Sequence, residues 1–168
     1  MKTRLLALGV ALGLFAAIVA TAQARAPKSA AVTLKKTSLG TILVDPRGRT
    51  LYLFEKDGKG ISACNSACLS YWPAFTSTAV PRAGTGVKQS LLGLAKPNHG
   101  QRQVTYGGHP LYTFVGDKSP GQTSGEGLNN FGAGWYALAA SGQKVEPSKS
   151  TGKGSSSNGG YSSGGYGY

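Results

Sequence analysis

The sequence predicts a small all-β or β-dominated domain made of two pseudo-repeats, each built on a β-hairpin, with short helical pieces only. Three observations predict it. Tyr52-Leu53-Phe54-Glu55-Lys56-Asp57 returns sixty residues later as Tyr112-Thr113-Phe114-Val115-Gly116-Asp117, and Val44, Gly48 and Leu51 align at the same offset with Val104, Gly108 and Leu111. The runs flanking these motifs are β-branched and aromatic, and they are separated by Pro and Gly turn residues. Glycines at 84, 86 and 93 discourage any long helix between the two copies.

Residues 1–26 read as a secretory signal peptide. Lys2 and Arg4 precede an apolar stretch from Leu5 to Ala20, and small residues offer cleavage after Ala24 or Ala26. The apolar stretch is too short for a comfortable span and no second one follows, so the mature chain is expected to have no transmembrane segment and to be periplasmic or secreted. Residues 27–38 form a basic N-terminal arm with a short strand expected over Val32 to Lys36.

Residues 39–140 form the body. Thr41-Ile42-Leu43-Val44 and Thr50-Leu51-Tyr52-Leu53-Phe54 are joined by Asp45-Pro46-Arg47-Gly48, which predicts the first hairpin. Gln103-Val104-Thr105-Tyr106, a Gly107-Gly108 turn and Pro110-Leu111-Tyr112-Thr113-Phe114 predict the second. A further strand is expected over Gly134 to Leu138, and short helices over Ser66 to Tyr71 and Ser90 to Ala95. Residues 141–168 turn to Gly, Ser, Lys and Tyr, a composition that buries too little apolar area to offset chain entropy; a disordered tail is expected.

Side chains alternate faces along a strand, so Tyr52 and Phe54 share one face and Leu51 and Leu53 the other. Tyr112 and Phe114 repeat the aromatic face, while Thr113 in place of Leu53 points to a second face that is only partly buried. Each Phe is followed three residues later by an aspartate that can close a turn by accepting backbone N–H bonds. The aromatics then read as core and the aspartates as turn caps. The functional reading of the same four residues is a pseudo-symmetric binding face made of Tyr52, Asp57, Tyr112 and Asp117.

Together with Leu39-Gly40, the stretch from Cys64 to Cys68 leading into Trp72-Pro73, and Gln103 through Tyr112, the Tyr-x-Phe-x-x-Asp elements resemble the bacterial secreted-repeat family. That family is described as predicted lipoproteins with a conserved Tyr-x-aromatic-x-x-Asp motif. The resemblance implies export, envelope or extracellular residence and a duplicated domain, with no established biochemical role. No cysteine near the cleavage position is available for acylation, a departure from the lipoprotein label.

Cys64 and Cys68 are the only cysteines, and in an exported domain an oxidising compartment should pair them as a disulfide. The alternative is a redox or metal site that adds His99 and His109. Neither the Cys-x-x-Cys nor the His-x(3 to 5)-His spacing of zinc modules is present, the c-type haem motif is missing, and the mature chain has no methionine for a blue-copper centre. No metal site and no cofactor is therefore expected, and His109 reads as a surface hairpin residue. Gly160-Tyr161-Ser162-Ser163-Gly164 spells a hydrolase nucleophile pattern inside the low-complexity tail, where the required strand and helix are not expected. Asp57-Gly58-Lys59-Gly60 supplies one carboxylate where a calcium loop needs several.

The whole chain carries a formal charge of +12, and removing Lys2 and Arg4 with the signal takes away only two positive charges. Such a surplus favours anionic envelope polymers or lipid headgroups by salt-screened attraction, with no motif for a specific nucleic acid. The expected function is a non-enzymatic binding or structural module of the cell envelope. Two alternatives stand beside it: a periplasmic redox or metal-handling protein using Cys64 and Cys68, and an enzyme using Asp57 and Asp117 as its acids.

Overall fold

The structure, a computed structural model, describes residues 29–96 and 102–145. The signal peptide, nearly all of the C-terminal tail and His99 lie outside the described residues. Strand β1 (Ala31–Thr37) pairs antiparallel with β2 (Gly40–Val44) from Thr33↔Val44 to Thr37↔Gly40. The segment expected as an arm is thus a full strand of the body, and Val32, completely buried in an aliphatic cluster, is what anchors it.

The first hairpin forms as its sequence dictates. After β2 the chain turns at Asp45–Arg49, where Gly48 N donates to Asp45 O at 2.8 Å and Gly48 adopts φ 78°, a left-handed conformation that suits glycine. Val44 then bridges Thr50, and β3 (Tyr52–Phe54) follows. Helix α1 (Ser66–Leu69) is a single turn, capped by Asn65 Oδ1 accepting from Cys68 N at 3.0 Å. Strands β4 (Thr76–Ser77) and β5 (Arg82–Ala83) come next, and β5 runs parallel to β1.

The helix expected over Ser90 to Ala95 is replaced by a 3₁₀ turn (Gln89–Leu91) and strand β6 (Leu92–Leu94). The alternating apolar pair Leu92 and Leu94 packs against the aliphatic cluster, and pairing with β7 (Arg102–Tyr106) outweighs weak local helix preference around Gly93. A Gly107-Gly108 turn, both at positive φ, leads into β8 (His109–Pro110), which pairs with β7. Strands β9 (Asn129–Asn130) and β10 (Ala133–Ala137) form the last hairpin, and β10 pairs with β3. Among the described residues these ten strands, one α-helical turn and one 3₁₀ turn make a β-dominated domain.

The two repeats meet at their tyrosines. Tyr52 N donates to Tyr112 O at 2.9 Å and Tyr112 N donates to Tyr52 O at 3.0 Å, the reciprocal pair of an antiparallel ladder. This pairing acts as a local pseudo-two-fold, because Phe54 lies opposite Trp135 while Phe114 is bracketed by bonds to Pro73 O and Tyr71 O on either side of Trp72. An aromatic cluster fills one side of the ladder and an aliphatic cluster with Leu51, Leu53 and Leu111 the other. Thr113 is only 4% exposed, so the face expected to be partly open is closed; its hydroxyl reaches Pro73 O.

Candidate functional site

The four residues singled out by the repeated motif are brought together, and they are paired across the repeats. Tyr52 Oη donates to Asp117 Oδ2 at 2.7 Å, and Tyr112 Oη donates to Asp57 Oδ2 at 2.8 Å. Each tyrosine therefore belongs to one copy and its carboxylate to the other. The second oxygen of each carboxylate closes its own loop: Asp57 Oδ1 accepts from Ala63 N at 2.7 Å and Asp117 Oδ1 accepts from Ser124 N at 2.8 Å. Asp57 N and Asp117 N also donate to Phe54 O and Phe114 O, the turns expected three residues after each Phe.

Further groups complete the two clasps. Tyr112 Oη lies 2.8 Å from Ser62 Oγ, and Gly125 N donates to Tyr52 Oη at 3.3 Å. Gly125 is required there, since a Cβ would come within 2.8 Å of Trp72 and 2.9 Å of Tyr52. Ser62, Ser124 and Gly125 were not singled out from the sequence. The faint signal for them is that each motif aspartate is followed, five to eight residues on, by a Ser beside a small residue.

Burial governs the electrostatics of these pairs. Loss of hydration lifts the Asp57 carboxyl to about 6, opposed by the Ala63 N–H and the Tyr112 hydroxyl. Asp117 is also raised by burial, against the stabilising hydrogen bonds of Tyr52 and Ser124. Both tyrosine hydroxyls are pushed above their ordinary range, first by burial, and they stay protonated donors. The arrangement can lock the two repeats together, and the groups that would contact a ligand contact one another.

Behind the clasps lies a stack of four rings that obeys the same pseudo-symmetry. Phe54 stacks on Trp135 at 4.2 Å between centroids, Trp135 on Trp72 at 3.9 Å, and Trp72 on Phe114 at 4.4 Å. Tyr52 meets Trp72 edge-on and Tyr112 meets Trp135 in the same way. Such ring pairs contribute about 0.5–1.5 kcal/mol each beyond simple area burial. The symmetry breaks at the indole nitrogens: Trp135 Nε1 donates to Asn130 O at 3.1 Å, whereas Trp72 Nε1 is buried without a partner among the described residues.

Cys64 and Cys68 form a disulfide, with Cα atoms 5.3 Å apart and both residues buried against the aromatic cluster. The bridge spans α1 and delivers Trp72 to the stack. Tyr71, its neighbour in sequence, is 57% exposed. His109 is exposed on β8, and among the described residues no group of three or more His, Cys, Asp or Glu side chains is placed to hold a metal ion. No helix among the described residues is long and apolar enough to cross a membrane.

A family described as a secreted repeat of unknown function matches the chain twice, over residues 33–76 and 93–139. The chain belongs to this family. Its two matched segments each contain one of the two copies of the repeated motif with its tyrosine, so the family's repeat unit is the unit related by the pseudo-two-fold. Membership in the secreted-repeat family points to an exported protein. No curated protein and no solved structure matches the chain significantly.

Proposed function

We propose that this secreted-repeat protein is an exported component of the cell envelope, periplasmic or secreted, that acts as a non-enzymatic module binding anionic envelope polymers. The observation that carries this reading is the way the carboxylates are used. Asp45 pairs with Arg49 at 2.7 Å, Glu55 with Lys144 at 3.0 Å, and Glu126 Oε2 accepts from Ala137 N at 2.7 Å. Asp57 and Asp117 are the acceptors of the tyrosine clasps. Meanwhile Lys36, Lys59, Arg82, Lys88, Lys96 and Lys118 are exposed, and none forms an ion pair among the described residues. Among the described residues every acid is engaged by an ion pair or hydrogen bond and only Glu55 is exposed, whereas these cations face solvent, which leaves an exterior attractive to polyanions.

The same facts weigh on the alternatives. Acid–base chemistry by Asp57 and Asp117 requires carboxylates that reach a substrate, and here each is held by a hydroxyl and a backbone N–H. A redox role requires a sulfur that an attacking thiolate can reach, and a metal role requires free thiolates; here the two sulfurs are joined to each other and both cysteines are buried. The test is retention of the protein, as its host exports it, on immobilised polygalacturonate. Strong retention at low salt that falls away as salt approaches about 0.15 M, where charges more than about 8 Å apart are screened, is expected. Absence of retention at low salt would remove the reading.

A further inference from the structure

The pseudo-symmetric parts of this domain serve its architecture, so a specific site is best sought where the two repeats differ. The hairpin turns differ most. The second copy turns on Gly107-Gly108, with the exposed His109 beyond, whereas the first turns on Asp45-Pro46-Arg47-Gly48-Arg49. Beside this first turn lies a groove of about 690 Å³, walled by Arg47, Arg49 and Arg102, with Thr76, Thr78 and Phe75 among its other lining residues. That volume falls within the roughly 300–1,000 Å³ typical of ligand clefts.

The groove is built around a buried carboxylate. Asp45, 2% exposed, accepts from Arg47 N and Arg49 N, both at 2.9 Å, and from Arg49 Nε at 2.7 Å. One aspartate therefore fixes the backbone of the turn and the direction of one guanidinium. Its charge is matched by Arg49, which leaves Arg47 and Arg102 as uncompensated cations; neither makes an ion pair among the described residues. Arg102 opens β7 and is paired in register with Ser77 of β4, so it stands on a sheet rather than a loose loop. Among the described residues Asp45 is the only acid lining the groove.

From this arrangement we infer that the groove between the first hairpin turn and β4 is a binding site for an acidic polysaccharide. The inference rests on the envelope-binding reading above and assigns its specificity to one place. Guanidinium forks match carboxylate or phosphate oxygens in pairs, and the Thr76 hydroxyl supplies a partner for a sugar hydroxyl. A bilayer surface, being flat, meets a concave site poorly, and single-stranded nucleic acid binds by stacking on open aromatic rings, whereas Phe75 is half-buried. A carboxylated sugar chain fits both the charge and the hydroxyl lining.

The experiment compares three forms of the full chain: the parent, Arg47→Glu with Arg102→Glu, and Lys36→Glu with Lys59→Glu as a control with the same change of charge at exposed positions off the groove. Binding to oligogalacturonate, to phosphatidylglycerol vesicles and to an oligothymidylate is measured by titration calorimetry or sedimentation, with far-ultraviolet circular dichroism to check folding. Selective loss of oligogalacturonate binding in the arginine variant, by about tenfold or more as expected for lost charge-assisted contacts, supports the site. Equal weakening in the arginine and lysine variants overturns the groove while leaving a diffuse basic surface in place. A parent that binds none of the three probes at low salt overturns both readings. A parent that prefers vesicles or oligothymidylate over the uronate overturns the assignment of a polysaccharide. If the double arginine variant fails to fold, Arg102→Gln is compared with Lys59→Gln, a control with the same change of charge off the groove, since Arg102 has no part in the Asp45 turn.

Discussion

Replacing Tyr52 by Phe removes one hydroxyl and leaves the ring that meets Trp72 edge-on. The carboxylate of Asp117, 8% exposed, then loses the donor at 2.7 Å on Oδ2 and keeps the contacts of Ser124, whose N–H donates to Oδ1 at 2.8 Å. A hydrogen bond to a charged group is worth about 1.5–3 kcal/mol and one between neutral groups about 0.5–1.5 kcal/mol. Burial raises the Asp117 carboxyl in the folded state, so the group takes up its proton more readily than a free aspartate as the solution is acidified. The Tyr52→Phe penalty should therefore be about 2 kcal/mol or more while the carboxylate is ionised and about 1 kcal/mol once it is protonated, and so smaller at pH 4 than at pH 8. Urea unfolding followed by the fluorescence of Trp72 and Trp135 measures it, since both indoles are fully buried. Equal penalties at the two pH values, or less than about 0.5 kcal/mol at pH 8, would show that the hydroxyl does not stabilise a buried anion.

Three further changes test neighbouring parts of the same assembly. Asp57 has its folded carboxyl raised from 3.8 to about 6, so the proton is held more tightly in the folded chain; the stability this gives is full below about pH 4 and lost as pH rises through about 6. Asp57→Asn should flatten that fall, which amounts to at most about 3 kcal/mol, and a parent protein whose stability rises from pH 4 to pH 7 would contradict the sign. Gly125→Ala forces a methyl group against Trp72 and Tyr52 and should cost about 1–3 kcal/mol in urea unfolding, with a neutral result refuting the close packing. Cys64→Ser with Cys68→Ser opens a short loop and should cost about 2 kcal/mol by the chain-entropy argument, with little loss of far-ultraviolet circular dichroism.

The residues that could be read in advance were those whose role follows from local chemistry. Pro46 and Gly48 mark the first turn, alternation places Tyr52 with Phe54 on one face, and each motif aspartate closes a turn. What could not be read was partnership at long range. The sixty-residue offset aligns Tyr52 with Tyr112 but leaves open whether each tyrosine meets its own aspartate or the other copy's, and the fold chooses the other. The segment from Ser90 to Ala95 carried no decisive period, so pairing with β7 fixed it as a 3₁₀ turn and a strand. The arginine groove was hidden for the same reason: Arg47 and Arg102 lie far apart in sequence, and only the β4–β7 pairing sets one beside the turn that holds the other.

Cross-repeat pairing explains why a small domain uses so many of its polar and aromatic groups on itself. Each copy alone would expose a tyrosine hydroxyl, a carboxylate and two stacked rings whose partners sit in the other copy. Selection for that mutual fit constrains both copies of the Tyr-x-Phe-x-x-Asp motif without any ligand, so the recurrence of the motif is an argument about architecture. Specific recognition is then free to diverge where the fit makes no demand. The first hairpin turn is such a place: its counterpart closes with two glycines, yet it carries a buried aspartate holding two arginines in order beside a groove. A turn needs none of that to reverse the chain, and the extra charge is therefore the part of this domain that architecture leaves unexplained.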